Sequence, residues 1–301
     1  ANQTQDDKND SIRLNTRYER KDKDLSDKIR LSVERQTETQ LTRSLQNTIY
    51  TDETINEYGL AYDGMRKLDP DRQIKFGVDA RSNNLDSNVS DSLDEQRYAL
   101  YAEGSWRFTD RQTITLGARQ EWLNRSGLVD YQDQHLSPVL AYRFDLTEQW
   151  SIQTNLSQAF NSPKTDRLIP NVTVSTDSDA GSLNNPDRGG NPNLKPEESD
   201  QYTVGFVYAP DNNFSFSLDY WNIELTNMVT SVTEAQIVAD PERYRHLYTT
   251  KTNKATGQEE LAIIFESINV GQSKNTGLDW DLTVGNDLSF GRLTTTLAGT
   301  Y

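Results

Sequence analysis

The side chains best suited to meet a ligand lie between positions 160 and 225. Arg167 and Arg188 carry guanidinium groups that pair with carboxylates, phosphates or anionic chelates. Asn191 and Asn193 offer amides, and Trp221 offers a flat ring on which a sugar can stack. The two histidines, His135 and His246, are each a candidate metal or haem ligand; an exposed histidine without function is the competing reading. Acidic clusters at Asp22/Asp24/Asp27, Asp86/Asp91/Asp94/Glu95 and Asp177/Asp179 suit calcium, or divalent bridging to anionic lipid. None has the spaced, glycine-containing loop of a dedicated calcium site. Gly189-Gly190 reads as a turn and not a phosphate loop, because no helix follows it. No Ser/His/Asp constellation and no metal-ligand quartet is visible, and a chain without Cys has no thiolate chemistry. The expectation is therefore no enzyme, no catalytic residue, no resident metal and no cofactor.

These groups must be positioned by elements with a period of two. From Tyr98 to Phe108 the even positions are Tyr, Leu, Ala, Gly, Trp and Phe, while the odd ones include Arg97, Glu103 and Arg107. Strict alternation over that length marks a strand with one apolar face. The pattern recurs at Ile29–Val33, Tyr58–Tyr62, Ile74–Ala80, Ile114–Trp122, Leu140–Phe144, Trp150–Leu156, Phe214–Tyr220 and Leu278–Val284. About thirteen strands of roughly ten residues or more are expected. Residues 1–50 are ambiguous, since Leu41, Leu45 and Ile49 also fit a helical period. At Tyr220-Trp221 the apolar face moves to Trp221, Ile223 and Leu225, which suggests a β-bulge beside an interfacial aromatic girdle.

Short polar turns at 109–111, 145–148, 211–213 and 286–287 alternate with long connections at 82–95, 124–136, 160–199 and 227–262. Long strands, an apolar outward face and unequal loops describe an antiparallel up-and-down transmembrane β-barrel. A soluble sandwich has strands of about five or six residues. The barrel reading also accounts for a composition that is otherwise odd: 34% hydrophobic residues, a mean hydropathy of −0.82, and yet 14 Tyr, 9 Phe and 5 Trp. Only one face of each strand need be greasy. A net charge of −15 makes nucleic acid an improbable partner on electrostatic grounds. Residues 1–10, ANQTQDDKND, contain no signal-peptide core, so an exported chain would here be a mature or internal piece.

The stretch FNSP at 160–163 followed by GGNPNLKPEESDQYTVGF at 189–206 resembles the barrel of TonB-dependent outer-membrane receptors. FTDRQTITLGARQEW (108–122), YWNIELTNMV (220–229) and INVGQSKNTGLDWDL (268–282) support it in the same order. The resemblance covers 95–301; residues 1–94 are assigned by alternation only, within one partial barrel domain spanning 1–301. It implies a Gram-negative outer-membrane location and a barrel of about 22 strands with long extracellular loops and short periplasmic turns. It also implies a plug, the inner-membrane TonB complex as energy source, contact with outer-membrane lipid and lipopolysaccharide, and import of a scarce nutrient such as a ferric siderophore. Haem receptors of this family carry a His between the two motif pieces; residues 160–195 contain none. The chain is expected to be an internal part of such a barrel, without the plug and closing strands. A passive porin-like channel and a soluble β-rich binding module are the alternatives. The motif residues Phe160, Pro163, Asn191, Pro192, Leu194, Pro196 and Gly277 are expected to be structural. Pro192 and Pro196 hold Asn191 and Lys195 extended and return the chain from the outer loop into a strand. Arg167, Arg188, Asn191, Asn193 and Trp221 are the candidate ligand-binding residues.

Overall fold

A computed structural model describes residues 4–43, 48–88, 91–168, 187–252 and 259–301. The chain runs through β1 (Thr4–Lys21), β2 (Leu25–Arg43), β3 (Thr48–Asp69), β4 (Arg72–Ser87), β5 (Leu93–Thr109), β6 (Gln112–Gly127), β7 (Tyr131–Asp145) and β8 (Trp150–Asn161). A short helix, α1 (Thr165–Leu168), precedes β9 (Asp187–Gly189), β10 (Glu197–Asp211) and β11 (Phe214–Thr226). Then come β12 (Val229–Ser231), α2 (Glu234–Ala239), β13 (Tyr248–Thr252), β14 (Glu259–Asn269), β15 (Gln272–Leu288) and β16 (Gly291–Thr300). Among the described residues, twelve strands form one sheet in the order β1-β2-β3-β4-β5-β6-β7-β8-β10-β11-β15-β16. The other four, β12, β14, β13 and β9, form a second, small sheet. The expected all-β, up-and-down antiparallel architecture is present, with the helical alternative for residues 1–50 replaced by strands wherever those residues are described.

The chain divides into a wall unit (1–159, 199–224, 274–301) and a loop unit (160–198, 225–273). In the wall, register stacks apolar on apolar from strand to strand. Tyr18 pairs with Ile29, Ile29 with Tyr62, Tyr62 with Val78 and Val78 with Leu100. A second row runs Ile74, Gly104, Leu116, Leu140, Leu156. A one-residue slip would turn every one of these side chains to the opposite face. The apolar face is uncovered: Leu14, Leu60, Leu100 and Leu116 are all about half exposed or more. In water such a surface would be a liability; against hydrocarbon it is the required one.

The opposite face is polar and holds its charges in cross-strand pairs. Arg13 meets Glu34 at 2.6 Å, Arg30 meets Asp63 at 2.8 Å and Lys75 meets Glu103 at 2.9 Å. Towards one rim a chain of five alternates sign: Arg119 and Arg97 share Glu121 (3.1 and 3.3 Å), and Arg97 and Arg125 share Glu95 (3.6 and 2.6 Å). Arg125 is buried and its guanidinium lies over the Tyr131 ring at 5.7 Å.

Strand length departs from expectation. The sequence pattern places long connections at 82–95 and 124–136, but β4 continues to Ser87 and β5 begins at Leu93, while β6 and β7 are joined by 128–130 alone. The ladder simply continues beyond the apolar band, from Ser82 opposite Gln96 to Leu85 opposite Leu93. Above the band both faces carry polar groups, so the hydropathy period fades while the backbone pairing does not. The rim opposite the short turns therefore carries tall hairpins, and the long connections are 162–196 and 227–271. His135 correspondingly lies within β7, opposite Glu121, and not in a loop.

Candidate functional site

The loop unit is folded around its own small core. Val232, Ile237, Leu247 and Ile263 are buried together, with Tyr244, Tyr248 and Ile268 packed against them. Helix α2 is started by a capping box: the Thr233 hydroxyl accepts from Gln236 N at 3.3 Å, and the Gln236 side chain accepts from Thr233 N at 2.9 Å. The Tyr248 hydroxyl donates to the Ile237 carbonyl at 3.3 Å, fixing the helix to β13. β14 pairs antiparallel with β12 and β13 and parallel with β9.

The motif corner stitches this unit together. Pro163 is buried and ends β8, and α1 follows with Leu168 fully buried. The Asn191 backbone N–H donates to the Arg167 carbonyl, N to O 2.8 Å. Asn191 Oδ1 accepts from Asn193 N at 2.9 Å and its Nδ2 donates to the Ser267 carbonyl at 3.2 Å, so both ends of this amide serve the backbone. Leu194 N returns to the Asn191 carbonyl at 3.3 Å. This closes a turn with Pro192 at the position its fixed φ favours. Leu194 is buried beneath that turn. Glu197 Oε1 accepts from Val229 N at 2.8 Å and Oε2 from Asn161 Nδ2 at 3.1 Å, tying both long connections to the end of β8.

Asn269 is the residue that sequence reasoning passed over. Its Oδ1 accepts from Lys195 N (2.8 Å), and its Nδ2 donates to the carbonyls of Lys195 (2.9 Å) and Asn227 (2.7 Å). Asn227 has φ 55°, the left-handed region that Asn tolerates better than most residues. The signal in the sequence is an Asn at each end of the second long connection, within YWNIELTNMV (220–229) and INVGQSKNTGLDWDL (268–282).

Arg167 sits differently. It is exposed, and its Nη1 donates to Ser231 Oγ at 3.2 Å and Ser267 Oγ at 3.3 Å. Among the described residues no carboxylate forms an ion pair with it. A guanidinium oriented by hydroxyls keeps its charge for a further partner. Arg188 lies in β9, its backbone paired opposite Phe265; its side chain, like Asp177 and Asp179, lies outside the described residues. His246 is exposed in a tight turn spanning Arg245–Leu247. Among the described residues no group of three His, Asp or Glu side chains gathers to hold a metal ion. Asp27 and Glu95, from two of the acidic clusters, are committed to Arg66 and Arg125, both at 2.6 Å.

Trp221 belongs to the wall unit. A Cβ built on Gly277 would stand 2.5 Å from its Cζ2, so the indole lies across the glycine of the neighbouring strand. The expected shift of the apolar face does not occur there. Tyr220 faces Tyr202 on the apolar side, with hydroxyls 3.5 Å apart, while Asp219 and Trp221 both point to the polar side. Alternation is kept; the residue type, not the backbone, breaks the pattern.

Residues 1–301 match a known protein family described as TonB dependent receptor-like, beta-barrel. The chain belongs to the TonB-dependent receptor family. This is a family of transport receptors, and the protein resides in the outer membrane. An iron-regulated outer membrane virulence protein of Vibrio cholerae is 21% identical over 208 residues, covering 67% of this chain and 28% of that protein. A mutant of the ferric enterobactin receptor PfeA of Pseudomonas aeruginosa matches 98% of this chain and 43% of its own, with a TM-score of 0.69 at 16% identity. The siderophore receptor PirA of Acinetobacter baumannii matches 99% and 45%, with a TM-score of 0.66 at 15% identity. The TonB-dependent receptor chain described here thus spans less than half the length of the solved receptors that it resembles, and their likeness shows the fold.

Proposed function

We propose that residues 1–301 supply part of the wall and two capture loops of an energised outer-membrane receptor that imports an anionic iron chelate of the ferric siderophore type. The observation that carries this reading is Arg167, a charged group fixed by two hydroxyls on a folded loop unit with no acid among the described residues to neutralise it. Arg188 is the second cation of the reading. Asn191 and Asn193 hold the corner that positions Arg167, and Trp221 offers a lesser, sugar-stacking contact. Capture and passage require no covalent step, so no enzymatic role is proposed.

The remaining partners follow from the family. The inner-membrane TonB complex drives transport, and outer-leaflet lipid and lipopolysaccharide bathe the apolar face. The edges of β1 and β16 carry backbone groups that hydrocarbon cannot satisfy. Pairing with further strands of a barrel of about 22 strands would satisfy them.

The test is calorimetric titration of the purified full receptor with an anionic ferric tris-catecholate, a neutral ferric tris-hydroxamate and haem. The reading expects tightest binding of the catecholate. Arg167→Ala should weaken it by about 1.5–3 kcal/mol, the usual worth of a hydrogen bond to a charged group, with Arg167→Lys intermediate. Equal binding by Arg167→Ala and the unaltered receptor would contradict it.

A further inference from the structure

The polar face of the wall is chemically divided, and the division runs down the strands. On β1–β6 successive rows carry fixed charge. One row reads Arg17, Arg30, Ala61, Asp79, Ala99, Glu121 and the next reads Lys28, Asp63, Gly77, Tyr101, Arg119. A third contains Lys75 and Glu103. On β7 and β8 these rows carry little charge. The Lys75–Glu103 row continues as Gly117, Val139 and Ser157, and the row beside it as Thr115, Ala141 and Asn155. The lowest row, Thr113, Arg143 and Gln153, holds a cation that is already paired with Asp145 at 2.8 Å.

A cavity of about 610 Å³ follows this neutral strip, lined by Thr113, Thr115, Gln153, Asn155, Gln201 and Thr203 among others. That is the size range of small-molecule sites. The three rows span roughly 13 Å along the strands, at two residues per row. Gly205 borders the strip at its far side: the side chains of Gln153 and Asp219 hydrogen-bond across it at 3.3 Å, where any side chain at 205 would collide with them, so the acid at that edge is held by an amide.

We propose that this strip is the surface along which the chelate descends the wall. The inference rests on the function proposed above and adds its route. A hydrophilic anion would be held fast by unpaired cations and repelled by unpaired acids. Hydroxyl and amide groups give it exchangeable hydrogen bonds, favourable enough to admit it and weak enough to release it. The sector of β1–β6 instead presents fixed charges, several of them held in cross-strand ion pairs.

The experiment places a fixed negative charge in the strip of the full receptor, as Thr115→Asp and Asn155→Asp, with Thr115→Asn as the neutral counterpart. Asn15→Asp puts the same charge on the polar face of β1, between Arg13 and Arg17. Binding of iron-labelled ferric tris-catecholate reports folding and capture; its initial uptake rate in energised cells reports passage. The strip predicts that the Asp variants bind as the unaltered receptor does but import about tenfold or more slowly, since a fixed like charge on the route repels the anion. Thr115→Asn and Asn15→Asp should import normally, and the neutral ferric tris-hydroxamate, where bound, should be slowed less. Normal import by both Asp variants, or equal slowing by Asn15→Asp, overturns the path alone. Failure of the unaltered receptor to bind any chelate overturns the parent reading and this one with it.

Discussion

The wall and the loop unit order equally polar stretches of chain, but against different solvents. The wall has little interior of its own: its large apolar side chains point outward, and lipid takes the place of a core. What specifies it is register, repeated strand by strand. The loop unit buries Ile237, Leu247, Leu168 and Val232 almost completely and behaves as a miniature globular protein. Its irregular backbone is satisfied by the side-chain amides of Asn191 and Asn269 and the carboxylate of Glu197, where the wall uses the ladder. One region is thus rigid by repetition and the other by a few individually placed groups. A receptor gains from that combination, because the outward face of the wall must stay apolar to keep its register, whereas a stitched loop can present a single oriented cation.

The contrast is sharpest at the loop core. Ile237→Ala should cost the loop unit about 2–5 kcal/mol, the range for truncating a buried Ile. Hydrogen exchange should rise across 231–273 and stay unchanged in β2–β7. Leu60→Arg should do the reverse. A cation at a lipid-facing position costs about 2–4 kcal/mol near the bilayer midplane, read by denaturant titration in vesicles, while chelate affinity of the folded fraction is retained. Should Leu60→Arg cost nothing, the apolar face is not the lipid face. Asn269→Ala removes three hydrogen bonds and leaves Lys195 and Asn227 unpaired; about 1–3 kcal/mol is expected, confined to exchange at 187–198 and 227–229. Loss throughout the wall would mean that the two regions are not separately stabilised.

The smallest effect concerns Tyr131, on the hairpin rim outside the membrane-spanning band. Burial, with Asp133 adding to it, pushes its phenol up to about 12. The raised value means that its neutral form favours the folded state fully below the ordinary phenol value of about 10, and that this contribution is lost as pH rises through about 12. The ultraviolet difference between the unaltered receptor and Tyr131→Phe should show phenolate near pH 12; a transition near 10 would place the ring in water.

The wall was legible because its two faces meet different media. Where that contrast holds, as from Tyr98 to Phe108, residue type follows backbone direction and the sequence displays it. Above the band both faces meet water, so Ser82–Ser87 and Leu93–Gln96 keep their pairing without any hydropathy period. Trp221 failed for a related reason. Its ring is accommodated by Gly277 on the next strand, and a pairing across strands leaves no trace in a single run of residues. The motif prolines mark the corner in the sequence only as a stiff, extended stretch. What it is fixed to, Asn269 and Ser267 some 75 residues later, is a matter of long-range contact that spacing cannot encode.

The most direct test is hydrogen exchange of the full receptor in lipid, with and without saturating ferric tris-catecholate. The account predicts that the chelate protects residues 160–168, 187–198 and 225–273 while the ladder amides of β2–β7 stay as they were. No change in those loop segments at saturation, or protection that falls on the wall alone, would contradict it.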